Sequence, residues 1–250
     1  MERVIAIEGD IPLLLIAPHG PDDENTALLG ELIQAKLGCY LVANNGFERA
    51  DYVDESKDKA NCNNVEHCKQ DIVKDEFLDP IVAYTNRIEQ DFYSPNIFIL
   101  HGMIDIPEKR GRDQLDMVLG YGEGNKKNSY SCDLDRKNAF VYALHRKGLG
   151  IYTGSGGGKY AGAGKNNLNQ YFRKWEPNPN VHSMQIEIIH NLRKDKASLQ
   201  VTADFLADAM SEYLEYVMAV ESEENGKKSA PLPKGWVANW EAIAHQKPSY

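Results

Sequence analysis

Leu13-Leu14-Leu15-Ile16-Ala17-Pro18-His19-Gly20 and Asn96-Ile97-Phe98-Ile99-Leu100-His101-Gly102 share one pattern: an uninterrupted apolar run of strand length stops at a His followed by Gly. A buried parallel strand reads this way when its carboxyl end opens onto a site. Two such ends side by side bring two imidazoles together, which is the start of a metal site.

Outward from the first run, Val4 to Glu8 reads as a strand joined to Leu13–Ala17 by a Gly-Asp turn. A helix is predicted from Asn25 or Thr26, either of which can cap it, through Leu28, Leu29, Leu32, Ile33 and Leu37, with Gly38 as its stop. Cys39 to Ala43 is the next strand. Asn44 to Asp75 is polar and irregular and reads as a long functional or disordered loop. Phe77 to Phe92 is helical, Asp116 to Leu119 a short strand, Leu134 to Lys147 a helix ended by Gly148, and Ile151-Tyr152 the start of another strand. Val181 to Ile189 alternates, with Ser183, Gln185 and Glu187 on a polar face and Met184, Ile186 and Ile188 on an apolar one. A helix from about Ala197 to Val220 closes one domain, residues 1–222, and residues 223–250, with Pro231, Pro233 and Pro248, form an extended tail. Alternating strands and helices with buried strands give a three-layer α/β/α sandwich with a mixed, mostly parallel sheet.

The 250 residues are 42% hydrophobic and 26% charged, ordinary for a globular protein, and no apolar run approaches the ~20 residues that span a bilayer. Acidic residues interrupt the N-terminal segment where a signal peptide's apolar core would continue, so a cytoplasmic protein without a membrane role is expected. A net charge of −9 argues against a nucleic-acid partner, because phosphate neutralisation needs a basic face. The scattered cysteines Cys39, Cys62, Cys68 and Cys132 read as reduced thiols, and Cys62, His67 and Cys68 lack the spacing of a structural zinc site.

Three carboxylates, Asp22, Asp23 and Glu24, follow the first His within five residues. They favour a helix N-terminus electrostatically, and one of them could complete a metal site with His19 and His101, since a catalytic zinc takes three protein ligands and keeps a position for water. Glu187, a charge set among Met184, Ile186, Ile188 and Ile189, is the candidate general base and acid.

The series Pro18-His19-Gly20, a loop acid, Phe98-Ile99-Leu100-His101-Gly102-Met103 and Met184-Gln185-Ile186-Glu187-Ile188 resembles the N-formylglutamate amidohydrolase group of the zinc carboxypeptidase-like superfamily. Ala17-Pro18-His19-Gly20, with Glu24 five positions after the His and Thr26 beyond, is also similar to the poly-γ-glutamate hydrolases. The resemblance runs from about Ile11 to Arg193. It implies a phosphorylase/hydrolase-like fold, one Zn2+ per chain, and hydrolysis of an amide beside a carboxylate in a small or peptide-like acidic substrate. It carries His19 and His101 over as zinc ligands and Glu187 as general base and acid, with Glu24 as the third ligand and Asp22 as its alternative.

Leu100 stands where relatives carry an Asp, and Asn63-Asn64 stands where they carry an Asn-Arg pair that grips a substrate carboxylate. The nearby Lys109-Arg110-Gly111-Arg112-Asp113 offers a substitute. Arg112 is then the expected carboxylate anchor and oxyanion partner, with Asn63 beside it in substrate binding. The Gly-rich stretch 154–165 matches neither phosphate-binding glycine motif; it is expected to cover the substrate, and a non-catalytic phosphate- or nucleotide-binding role for it is the alternative function.

Overall fold

Residues 2–105, 115–124, 129–154 and 158–225 are described by the computed structural model. Among them, seven strands form one sheet: β1 (Val4–Ile7), β2 (Leu13–Ala17), β3 (Tyr40–Asn44), β4 (Asn96–Met103), β5 (Met117–Gly120), β6 (Ile151–Gly154) and β7 (His182–Ile189). The order is β1-β3-β2-β4-β7-β5-β6. The central neighbours β3, β2, β4 and β7 run parallel, while β1 pairs with β3 and β5 with β7 in the antiparallel sense. Because β2 and β4 are covered on both faces, they contain apolar runs rather than alternation.

Helices α1 (Thr26–Leu37), α2 (Asp79–Phe92), α3 (Leu134–Arg146) and α4 (Lys196–Asn225) supply the outer layers. On one face Leu29, Phe140, Leu206 and Met210, from α1, α3 and α4, pack on Leu15, Phe98, Leu100 and Ile186 of the sheet. On the other, Phe77, Ile81 and Ile88 pack on Leu14, Ile16, Ile97 and Ile99. Gly38 ends α1 in the left-handed conformation at φ 69°, the stop its sequence position predicts. No described helix is long and apolar enough to cross a membrane.

Two expectations need correction. The segment 44–75 is not a bare loop: it contains short helical turns at Glu55–Lys57, Val65–Cys68 and Asp71–Val73, and it buries Phe47, Ala60, Cys62, Val65, Cys68 and Val73 against the sheet. Its apolar residues follow no helical or strand period, which hides them from a pattern reading. The last helix also reaches Asn225, into the stretch expected to begin the tail, and residues 226–250 lie outside the described residues.

His182 opens β7 and is buried, its Nδ1 3.7 Å from Asp133. Burial first, and the nearby Arg136 charge second, lower its pKa to about 3. The folded protein therefore refuses a proton that the unfolded chain accepts near pH 6.5. Stability is expected to fall as pH drops from about 6.5 towards about 3, by up to about 1.4 kcal/mol per pH unit from this group. Urea unfolding of His182→Gln should show a shallower acid loss than wild type; equal slopes would refute this.

Candidate active site

His19 lies two residues past the end of β2, and its placement starts with Asn44 at the end of β3. The buried Asn44 amide donates to Pro18 O and Phe47 O at 2.8 Å each, and its Oδ1 accepts from Phe47 N. Gly20 is required next, since a Cβ there would lie 2.1 Å from Asn44 O. The His19 ring thereby meets the His101 ring of the neighbouring strand β4, centroids 5.3 Å apart.

The backbone N–H groups of Asp22 and Asp23 both donate to His19 O, at 2.9 and 2.6 Å, and this tight turn sends the three acids in different directions. Asp22 Oδ2 accepts from Arg49 N at the surface. Glu24, the expected third ligand, is exposed and meets His190 Nε2 at 3.0 Å. Asp23 is the acid that points inward. Its Oδ2 lies 3.4 Å from His101 Nδ1 and accepts from Gly102 N at 3.0 Å. Spacing motifs favour its neighbours, and only the turn reveals it.

Glu187 stands directly across from His101 in the parallel β4–β7 pairing, so the two side chains leave the same face of the sheet. All of β7 is buried, including the face expected to be polar. The covering comes from residues 160–169. Gln185 Nε2 donates to both Tyr160 O (3.1 Å) and Glu187 Oε1 (3.2 Å), while Gln185 Oε1 accepts from Asn167 Nδ2 (3.2 Å). One amide thus joins the Gly-rich stretch and the residues just after it to the candidate base.

Electrostatics separate the acids and imidazoles. Burial pushes the Asp23 carboxyl up, but its hydrogen bonds to His101 and Gly102 and the two imidazole charges outweigh that, so its pKa is lowered. Burial, followed by the charge on His101, lowers His19 to about 3. Glu187 is raised, chiefly by burial. A carboxylate held ionised beside one held towards its neutral form is how a fold divides ligand and proton-transfer roles.

These residues fit the metal that the resemblance implies. His19 Nδ1 and His101 Nε2 are buried without a hydrogen-bond partner, and such orphaned atoms call for an explanation, a missing ion among them. Two imidazoles and a carboxylate are the donor set of a catalytic zinc site. His101 Nδ1 faces Asp23 Oδ2 at 3.4 Å, which leaves Nε2 as the ring's orphaned nitrogen. Among the described residues no three such side chains are arranged closely enough to hold an ion.

The other expected site residues fare unevenly. Asn63 is tied by its carbonyl to Leu168 N, beside Asn167, and its buried Oδ1 has no partner. Arg112 and its basic neighbours lie outside the described residues, as do residues 155–157 of the Gly-rich stretch. Cys62, His67 and Cys68 form no metal cluster: His67 Nδ1 accepts from Asn61 N and Cys68 Sγ donates to Cys62 O. All four thiols are free and buried.

Neither a family model nor a curated protein matches this sequence. Solved structures do match. N-formylglutamate amidohydrolase from Ralstonia eutropha JMP134 superposes with a TM-score of 0.58 at 16% identity, over 88% of this chain and 100% of that one. This chain has the fold of that amidohydrolase. The same fold is present in gene product Atu2144 of Agrobacterium tumefaciens, at TM-score 0.57, 12% identity, and 87% and 96% coverage. A bacteriophage poly-γ-glutamate hydrolase gives 0.52 at 15% identity, with 85% and 89% coverage. The expectation carried by Ala17-Pro18-His19-Gly20 is thus met at the level of fold. Within this fold, the ends of the adjacent strands β2, β4 and β7 carry the candidate site residues.

Proposed function

We propose that this protein is a zinc-dependent amidohydrolase acting on an amide beside a carboxylate, of the N-formyl, N-acyl or γ-glutamyl type. One observation carries the reading: His19, Asp23, His101 and Glu187 gather at the carboxyl ends of three adjacent parallel strands. His19, His101 and Asp23 would hold the metal, Asp23 taking the place expected for Glu24 or Asp22. A bound zinc supplies a Lewis acid and brings the pKa of water down to about 7. Glu187, its Oε1 occupied by Gln185, accepts the proton of the attacking water at Oε2 and returns it to the departing nitrogen.

The substrate carboxylate needs a cation. Among the cations near the site, Arg49 acts on both His19 and Glu187. The Arg49 backbone is pinned to Asp22, and its guanidinium has no partner among the described residues. Arg49→Ala is expected to raise KM about tenfold, some 1.4 kcal/mol, with kcat little changed. Unaltered KM in steady-state kinetics would exclude Arg49 as the anchor.

The reading is tested by elemental analysis of protein purified without chelator, followed by turnover of N-formyl and γ-glutamyl amides. About one zinc per chain and metal-dependent hydrolysis are expected. Failure to take up added zinc would overturn it.

A further inference from the structure

Arg193 is a charged side chain only 5% exposed, yet among the described residues it pairs with no carboxylate. Its guanidinium instead donates to three backbone carbonyls on three segments. Nη1 reaches Glu24 O at 2.6 Å, Nη2 reaches Met103 O at 3.1 Å, and Nε reaches Ile188 O at 3.2 Å. Each acceptor lies one or two residues from a candidate site residue: Glu24 follows Asp23, Met103 lies two beyond His101, and Ile188 follows Glu187. The Arg193 carbonyl closes the arrangement by accepting from Asn25 Nδ2 at 2.7 Å.

Gly102 makes room for this group. A Cβ there would fall 2.5 Å from the Arg193 Cζ and 2.6 Å from its Nη2. On its other side Gly102 N donates to Asp23 Oδ2. The glycine of the second His-Gly pair is therefore explained by a guanidinium behind it, and the carboxylate and the cation clasp the same residue.

We propose that Arg193 is a positioning residue that sets the spacing of Asp23, His101 and Glu187 by tying their three backbones to one rigid planar fork. The inference rests on the metal reading above. A guanidinium suits the task because its five donors lie in fixed directions, whereas a Lys ammonium is a point charge on a flexible stem. The side chain touches no reacting atom in this arrangement; it acts through the backbones that carry those that do.

The test compares wild type, Arg193→Lys, Gly102→Ala and the double variant. Zinc affinity is measured by competition with a chelator, far below each protein's melting temperature, and kcat and KM are measured separately. Each single variant should bind zinc about 10–100-fold more weakly, the usual cost of losing support around a metal's ligands. Turnover should fall through kcat, with KM nearly unchanged. The double variant should be little worse than either single one, because both remove the same clasp. If Arg193→Lys does not fold, Gly102→Ala carries the comparison.

Wild-type zinc affinity in the variants, with only a lower melting temperature, would reduce Arg193 to a structural staple and overturn the inference while leaving the metal reading intact. A wild type that takes up no zinc would overturn both.

Discussion

Glu187→Gln is expected to lower turnover by about 10²- to 10⁴-fold, the range that positioned proton transfer supplies, while the protein keeps its fold and its zinc. The amide has the carboxylate's shape and can still accept from Gln185 Nε2, so the hydrogen-bond chain through Asn167 persists. What disappears is the capacity to take and return a proton. Stability should hold or rise at neutral pH. Burial raises the Glu187 pKa, so the folded state holds that proton more tightly than the unfolded state and loses stability as pH climbs through the ordinary glutamate range. Glutamine carries no such cost. A Gln variant with near wild-type turnover would remove Glu187 from the chemistry.

His101→Ala is expected to abolish both zinc uptake and turnover. The ring is 4% exposed, belongs to a central strand and stands 3.4 Å from Asp23, so its loss removes a buried donor beside the inward-pointing acid. A readout independent of activity is the thermal shift on adding zinc. At a hundred times its dissociation constant, a ligand that binds only the folded state stabilises it by about 2.7 kcal/mol, and the variant should show none of this. Zinc in the variant at wild-type stoichiometry would place the metal elsewhere. Together the two substitutions divide the site: one removes the metal and the chemistry, the other the chemistry alone.

The strands that build the site were the most legible part of the sequence. Leu13–Ala17 and Asn96–Leu100 are buried on both faces and read as apolar runs ending at the histidines, and the alternation of Val181 to Ile189 correctly set Glu187 against Met184, Ile186 and Ile188. Alternation could not show that the polar face is covered as well, because the cover comes from Tyr160 and Asn167, distant in fold logic though near in sequence. Asp23 was hidden for a different reason. Motif spacing counts residues, whereas the double acceptance at His19 O bends the chain within that count and selects the middle acid. Arg193 gave no signal, since a cation bonded, among the described residues, only to carbonyls has no partner residue type to search for.

The turn after His19 also bears on how such a site can drift. Asp22, Asp23 and Glu24 each have a separate partner, Arg49, His101 and His190 respectively. A lineage that lost one residue between His19 and these acids would still have a carboxylate in register with His101, and one that gained a residue there would too. Three consecutive acids make this corner tolerant of length changes that would end a site built on a single one.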